Sequence, residues 1–212
     1  MRAQVLSLDD VDPVPVVGGT LQWLPVRRPL DVRGFGINAY LAPEAGADVV
    51  EEHTESPEHH QELYVVVRGH ATFRSDDEEI DAPAGTIVFY PEGAIKRSAT
   101  AVEAHTMVLA VGGNVGEAYE PAAWEHWFLA APFSDSGEHA KAATIIAAGL
   151  SEHPDCPNLL YNLACEEIKA GRLDDAVAHL AQATELDREK VTRWASDDTD
   201  LDPVRSRPDW PL

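Results

Sequence analysis

The chain has 212 residues and is strongly acidic, with 37 Asp and Glu against 16 Lys and Arg and a net charge of −21. Its hydrophobic fraction of 44% is enough for an ordinary core. No apolar run approaches the roughly 20 residues that a membrane-spanning helix needs. Nucleic acids and anionic lipids are attracted by clustered Lys and Arg, which this sequence lacks. We therefore expect no nucleic-acid partner and no membrane partner.

The start of the chain and its cysteines indicate a compartment. The first ten residues have no apolar segment of the signal-peptide kind and turn acidic at once. Cys156 and Cys165 are the only cysteines, and they fall in a segment whose pattern is helical. Nothing in their spacing suggests a disulfide framework, so we expect a protein of the reducing cytoplasm.

Up to about residue 112 the pattern is typical of β-strands. Short apolar runs rich in β-branched and aromatic residues lie at 63–67, 86–90 and 106–111. Turn-forming Gly, Pro and Asp residues separate them. Closely spaced strands of this kind predict an antiparallel sandwich or barrel. We predict an N-terminal antiparallel β-barrel domain over residues 1–112, followed by a glycine-containing linker at 113–120.

The second half repeats itself at an offset of 34 residues. The offset aligns Trp127 with Tyr161, Leu129 with Leu163, Ala130 with Ala164, Gly137 with Gly171, Ala142 with Ala176, and Ile146 with Leu180. Its helix, glycine turn and helix, with small residues at the helix crossing, resemble the tetratricopeptide repeat. The resemblance covers about residues 121–188, and 189–195 is predicted to cap the stack. The predicted fold class is therefore α+β and multidomain, with a tetratricopeptide-like helical domain at 121–212.

Two segments of the first half resemble the signature motifs of the cupin family. The family's first motif runs His, any residue, His, three or four residues, Glu, six residues and Gly. Its second runs Gly, five residues, Pro, any residue, Gly, two residues and His. The spacing from Glu62 to Gly69 fits the first motif, and Gly85, Pro91 and Gly93 fit the second. The resemblance covers roughly residues 20–112 and implies a cupin jelly roll. The combination with helical repeats resembles bacterial proteins of the same architecture.

The metal ligands that the resemblance implies, three histidines and one carboxylate, are not conserved in their places. Lys96 stands at the histidine position of the second motif, and the family gap before Glu62 leads back to Pro57 or Glu58. Typical cupin metal chemistry therefore has no ready set of ligands in this chain.

Two alternatives remain for these residues. In the first, His53, His60 and Glu62 form a modified site for a divalent Fe, Mn, Cu or Zn ion, since two histidines and a carboxylate suit such ions. His60 and Glu62 are two residues apart and would share one face of a strand. In the second alternative there is no metal cofactor, the histidines lie in a polar loop, and Glu62 forms an ion pair in the mouth of the barrel.

A cation at the family's histidine position also suggests an anionic ligand. Lys96 and Arg97 are neighbours on a predicted strand, so one is expected to face inward and the other outward. Together with Glu62 they form a candidate site for a small anionic molecule with a carboxylate or phosphate group. In the competing interpretation Lys96 only neutralises Glu62.

These observations lead to two hypotheses about function. The favoured one is a non-catalytic small-molecule-binding or adaptor protein, whose helical repeats contact a protein partner or a second copy of the chain. The alternative is a metal-dependent enzyme of the oxygenase or isomerase class, which acts on a small anionic substrate through the set of His53, His60 and Glu62. The cupin resemblance further implies a homodimer.

Overall fold

The computed structural model describes residues 3–16, 19–55, 59–76 and 78–212. It divides into two compact units, Met1–Pro121 and Ala122–Leu212, called the β unit and the helical unit below. Pro57 and Glu58, at the position of the family's first histidines, lie outside the described residues.

In its described residues the β unit has ten strands, arranged in two antiparallel sheets. The strands are β1 Val14–Pro15, β2 Gln22–Leu24, β3 Gly36–Ala42, β4 Asp48–His53, β5 His60–Arg68, β6 His70–Ser75, β7 Glu78–Pro83, β8 Ile87–Tyr90, β9 Arg97–Ala101 and β10 Thr106–Asn114. A six-stranded sheet has the order β1-β2-β3-β10-β5-β8, and a four-stranded sheet has the order β4-β9-β6-β7. A 3-10 turn at Leu8–Asp10 precedes them. Strand β10 extends through Asn114 and so into the segment predicted as a linker.

The predicted α+β class with an antiparallel N-terminal domain is confirmed, but the two sheets face each other and are not closed into the predicted barrel. From β3 onward the chain passes from one sheet to the other after every strand except β6, which is followed by β7 in the same sheet. Such changes of sheet are typical of jelly rolls. Because each crossing breaks the hydrogen-bond ladder, no ladder joins the two sheets in the described part of the chain.

The core of the β unit lies between the sheets and is built from alternate residues of each strand. On β5 this face carries Tyr64 and Val66, and on β9 it carries Ala99 and Ala101, all of them buried. Side chains two residues apart on a strand share a face. The same alternation therefore directs Arg97, the first residue of β9, into the interior, where it is 1% exposed.

The helical unit is a series of helical hairpins, each made of two consecutive helices. Its helices are α1 Trp124–Asp135, α2 His139–Gly149, α3 Pro157–Lys169, α4 Leu173–Leu186, α5 Arg188–Ala195 and α6 Asp202–Arg205, with a 3-10 turn at Thr199–Leu201. Ala142 and Ala176, which the 34-residue offset aligns, are both buried. Among the described residues, no helix has the length and apolar character needed to cross a bilayer.

Helix α3 contributes to two apolar clusters. Leu159 and Leu163 pack with residues of α1 and α2. Leu160 and Ala164 pack with residues of α4, α5 and the C-terminal segment. Each hairpin therefore buries its apolar face against α3 or against a neighbour of α3, as expected for stacked repeats.

Two of the motif glycines give a matched test of the β unit. Gly69 and Gly85 both have positive φ, but an added Cβ at Gly69 would lie 2.4 Å from Thr106 Oγ1, whereas none of the described atoms lies within 4 Å of one at Gly85. We expect Gly85→Ala to lower the free energy of unfolding by about 1–2 kcal/mol through backbone strain alone. Gly69→Ala should cost about 1–3 kcal/mol more because it also overpacks the turn. Chemical denaturation of both variants measures the difference, and equal losses would contradict this account.

Candidate functional site

Arg97 is the central cation of the β unit. Its Nε donates to the carbonyl of Ile95 at 3.1 Å and its Nη2 to the carbonyl of Gly93 at 2.8 Å. Its Nη1 donates to Glu62 Oε2 at 3.2 Å, and its guanidinium carbon lies 4.8 Å from the ring centroid of Tyr90. Gly93 and Ile95 belong to the turn of the second motif, which thus provides carbonyl acceptors for a buried charge.

Glu62 accepts hydrogen bonds from two of its neighbours. Tyr64 donates its hydroxyl to Glu62 Oε2, the same oxygen that accepts from Arg97. His53 Nε2 lies 3.9 Å from this oxygen. Burial tends to raise the pKa of Glu62, but His53, Tyr64 and Arg97 together outweigh burial and lower the pKa below its ordinary value. Glu62 is therefore ionised at neutral pH.

His53 ends strand β4 and faces Glu62 across the interior. Its Nδ1 lies 2.7 Å from the carbonyl oxygen of Glu51, so Nδ1 carries the proton of that hydrogen bond. Its Nε2 lies 3.4 Å from the Tyr64 hydroxyl and 3.6 Å from Glu55 Oε1. Burial tends to lower the pKa of His53, but Glu62, the carbonyl of Glu51 and Glu55 together raise the pKa above 6.5.

A small cavity of about 90 Å³ adjoins these groups. Its lining residues are Leu21, Tyr40, Val50, Glu51, His53, Glu55, Glu62 and Tyr64. The lining thus has three carboxylates and one imidazole, and it includes neither Lys96 nor Arg97. An acidic lining of this kind disfavours an anionic ligand.

Lys96 points away from the interior, contrary to its suggested role beside Glu62. Its Nζ lies 2.7 Å from Glu52 Oε1, and both side chains are more than half exposed. One of the two neighbouring cations faces inward and the other outward, as the strand pattern suggested, but Arg97 is the inward one. Strand β9 begins at Arg97, which pairs with His53 of β4, and this register brings Arg97 to Glu62.

The structure separates His60 from the other two predicted metal ligands. His60 lies opposite Asn114, and its Nδ1 is 3.1 Å from Asn114 Oδ1. The group of candidate ligands that the structure assembles in the β unit is instead His53, Glu55 and Glu62, with one ligand atom of each within 4.8 Å of the others. The sequence signal for Glu55 is its position two residues after His53.

The candidate ligands of this group do not fit a metal centre well, because Arg97 already binds the carboxylate oxygen of Glu62. An ion at about 2.1 Å from that oxygen would lie roughly 5 Å from the guanidinium. Charges of +2 and +1 at that distance repel by about 6 kcal/mol at an effective dielectric constant of about 20. This repulsion offsets part of the attraction that Glu55 and Glu62 offer.

Two further groups of candidate ligands lie in the helical unit. One consists of His126, Glu152 and His153, and the other of Cys165, Asp198 and Asp200. In the second group, burial raises the pKa of the Cys165 thiol, and the nearby carboxylates raise it further. The thiol stays protonated and lies 3.6 Å from Asp198 Oδ2, which also accepts from Tyr161 at 2.7 Å. This group is therefore a hydrogen-bond network with an unreactive thiol.

Comparison with protein-family models identifies the repeat. Residues 134–196 match the model described as "Tetratricopeptide repeat". The prediction of tetratricopeptide-like repeats is confirmed. No curated protein matches the chain.

Comparison with solved structures returns cupins, each aligned with about half of this chain. The sugar phosphate isomerase "from a cupin superfamily" of Silicibacter pomeroyi is 19% identical, with 53% of this chain and 76% of that chain covered and a TM-score of 0.43. The RmlC-like cupin of Shewanella frigidimarina is 13% identical, with 54% and 95% covered and a TM-score of 0.41. KdgF of a Halomonas species is 19% identical, with 49% and 88% covered and a TM-score of 0.41. The cupin neighbours cover the N-terminal half, where the sequence motifs lie.

The ion pair of His53 and Glu62 predicts a specific pH dependence of stability. Because the pKa of His53 is raised, the stabilisation that His53 gives is complete below pH 6.5. It is lost as the pH rises through the pKa of His53 in the folded protein. Because the pKa of Glu62 is lowered, the stabilisation that Glu62 gives is complete above pH 4.5. It is lost as the pH falls through the pKa of Glu62 in the folded protein. The ion pair is therefore most stabilising between pH 4.5 and pH 6.5.

We expect His53→Gln to lower the free energy of unfolding more at about pH 5.5 than at about pH 8.5. Urea denaturation at the two pH values measures this, and an NMR titration should give His53 a pKa above 6.5. In a Glu62→Gln background the same substitution should lose most of its pH dependence. A His53 effect that is equal at both pH values would contradict the ion pair.

Proposed function

We propose that the chain is a non-catalytic adaptor, in which the β unit is a scaffold and the helical unit contacts a protein partner. One observation carries the first part. The carboxylate that matches the cupin motif glutamate, Glu62, is neutralised by Arg97, whose side chain is 0% exposed. The guanidinium of Arg97 thus lies beside the carboxylate that would bind the metal ion in a metal-dependent site. The tetratricopeptide match supports the second part, since stacked helical repeats commonly form binding surfaces.

The anionic-ligand site proposed from Lys96, Arg97 and Glu62 has little support in the geometry. Lys96 pairs with Glu52 on the surface, and the donors of Arg97 are directed to Glu62 and backbone carbonyls. A ligand of the small acidic cavity would instead be neutral or cationic. The metal-dependent alternative keeps one observation in its favour, the approach of His53, Glu55 and Glu62 to within 4.8 Å.

Metal binding to the β unit separates the two functions. We expect Mn²⁺ or Zn²⁺ to bind weakly or not at all to His53, Glu55 and Glu62 in the wild type, because Arg97 repels the ion. Arg97→Met should raise the affinity of this group, while it lowers the free energy of unfolding by about 3–5 kcal/mol through the unpaired Glu62. Calorimetric titration of tag-free protein measures the first effect and chemical denaturation the second.

A His53→Ala variant identifies the bound site, because it removes a ligand of this group and leaves the helical unit unchanged. If wild-type protein holds a stoichiometric ion that disappears in His53→Ala, the metal-dependent enzyme is correct and the adaptor proposal fails. In an adaptor, affinity for a purified protein partner should be equal in the wild type and in His53→Ala.

We also propose that the β unit mediates a homodimer through the outer face of its six-stranded sheet. Val67, Ile87 and Phe89 are 40%, 63% and 53% exposed there, on the neighbouring strands β5 and β8. Clustered apolar side chains of this size are uncommon on the free surface of a monomer. Because the patch itself is uncharged, a second copy of it is a complementary partner in a two-fold interface.

Substitution of the patch tests this dimer. We expect Phe89→Glu to shift the protein from dimer to monomer, because it places two carboxylates in one apolar interface. Light scattering coupled to size-exclusion chromatography measures the mass. Val102→Glu is a matched control, since Val102 is 48% exposed in the turn between β9 and β10, outside the patch. A wild type that is monomeric at high concentration would overturn the proposal.

A further inference from the structure

Two histidines and a glutamate converge in the helical unit. His126 lies in the first turn of α1, and Glu152 and His153 follow the end of α2. One ligand atom from each residue lies within 4.8 Å of the others. His126 Nε2 is 3.7 Å from Glu152 Oε2, and the rings of His126 and His153 are 6.1 Å apart at an interplanar angle of 74°.

The burial of these groups resembles that of a ligand site with an opening to solvent. The side chain of His126 is 4% exposed, whereas that of Glu152 is 49% exposed. His153 Nε2 is buried and has no hydrogen-bond partner among the described residues. A buried polar nitrogen without a partner is costly, and such groups in folded proteins call for a water, an ion or another explanation.

Gly149 makes room for the imidazole of His126. A Cβ added at Gly149 would lie 2.6 Å from Cγ and 2.8 Å from Cδ2 of His126. The backbone of Gly149 is not in the left-handed region, so its conformation does not require glycine. Glycine in a helix costs about 1 kcal/mol relative to alanine, the residue at the two preceding positions of α2. At this position glycine allows the His126 ring to lie in close contact with the helix backbone.

We propose that His126, Glu152 and His153 bind a divalent transition-metal ion of the Zn²⁺ class. Imidazole and carboxylate groups are ligands for Zn²⁺ at about 2.0–2.2 Å in tetrahedral geometry, which separates ligand atoms by about 3.4 Å. The 3.7 Å between His126 and Glu152 is close to this spacing, and His153 offers an available nitrogen. Three protein ligands leave a fourth position for water, and the half-exposed Glu152 provides the route of entry.

The charge of the protein favours cation binding, and the site has a structural consequence. A chain of net charge −21 attracts cations to its surface. A bound ion would join the start of α1 to the segment after α2 and so close the first helical hairpin. His126, Glu152 and His153 are separate from the ion pair of Arg97 and Glu62 in the β unit.

Zn²⁺ titration of the full, tag-free chain tests the proposal after treatment with chelator. We expect one equivalent of Zn²⁺ to bind and to raise the melting temperature of the wild type. His153→Gln should weaken binding by about tenfold or more, since loss of an outer-shell partner alone costs roughly 10–100-fold. Glu152→Gln should also weaken it, and Co²⁺ in place of Zn²⁺ should give the visible absorption of a four-coordinate site.

Controls distinguish this site from the group in the β unit. Glu55→Gln should leave Zn²⁺ affinity unchanged, and circular dichroism of the metal-free variants checks that they fold. If His153→Gln does not fold, Glu152→Gln decides the result, because that side chain is half exposed. The proposal is overturned if the wild type binds no Zn²⁺, if Glu152→Gln binds it with wild-type affinity, or if binding is lost in Glu55→Gln.

Discussion

The arrangement of the β unit's interior depends on the ion pair between Arg97 and Glu62. A buried guanidinium is tolerated only when its donors are satisfied, and here Glu62 and the carbonyls of the Gly93–Ile95 turn accept from it. That requirement fixes the turn before β9, the register of β9 on β4 and the orientation of Glu62. Tyr64 and His53 approach the same carboxylate oxygen of Glu62. The adjacent cavity is acidic because Glu62 belongs to its lining and Arg97 does not.

Much of the fold could be predicted because backbone-shaping residues are visible in a sequence. Gly69, Gly85 and Pro91 mark sharp turns, and the offset between Gly137 and Gly171 marks the repeat. Closure of the barrel could not be predicted, since it depends on hydrogen bonds between distant strands, which local spacing does not encode. The structure has two facing sheets, and its turns lie at the positions that the sequence predicted.

The candidate site was harder to predict because it depends on which way each side chain faces. His53 and Glu62 do approach each other, but a shift of one residue decides whether Lys96 or Arg97 enters the core. His60 has the spacing of a ligand and yet pairs with Asn114 at the end of its strand. The group of His126, Glu152 and His153 joins His126 to a pair of residues 26 and 27 positions later, at no recognised motif spacing, so only the packing of α1 on α2 reveals it.

The position of α3 in two apolar clusters has a consequence for how the helical unit unfolds. Stacked repeats are often nearly independent modules, which separate one at a time under stress. Here Leu159 and Leu163 serve one cluster while Leu160 and Ala164, on the same helix, serve the other. Loss of either hairpin exposes one face of α3 to water and weakens the helix on which the other hairpin packs. We therefore expect the helical unit to unfold as a single cooperative block, in one transition and not stepwise.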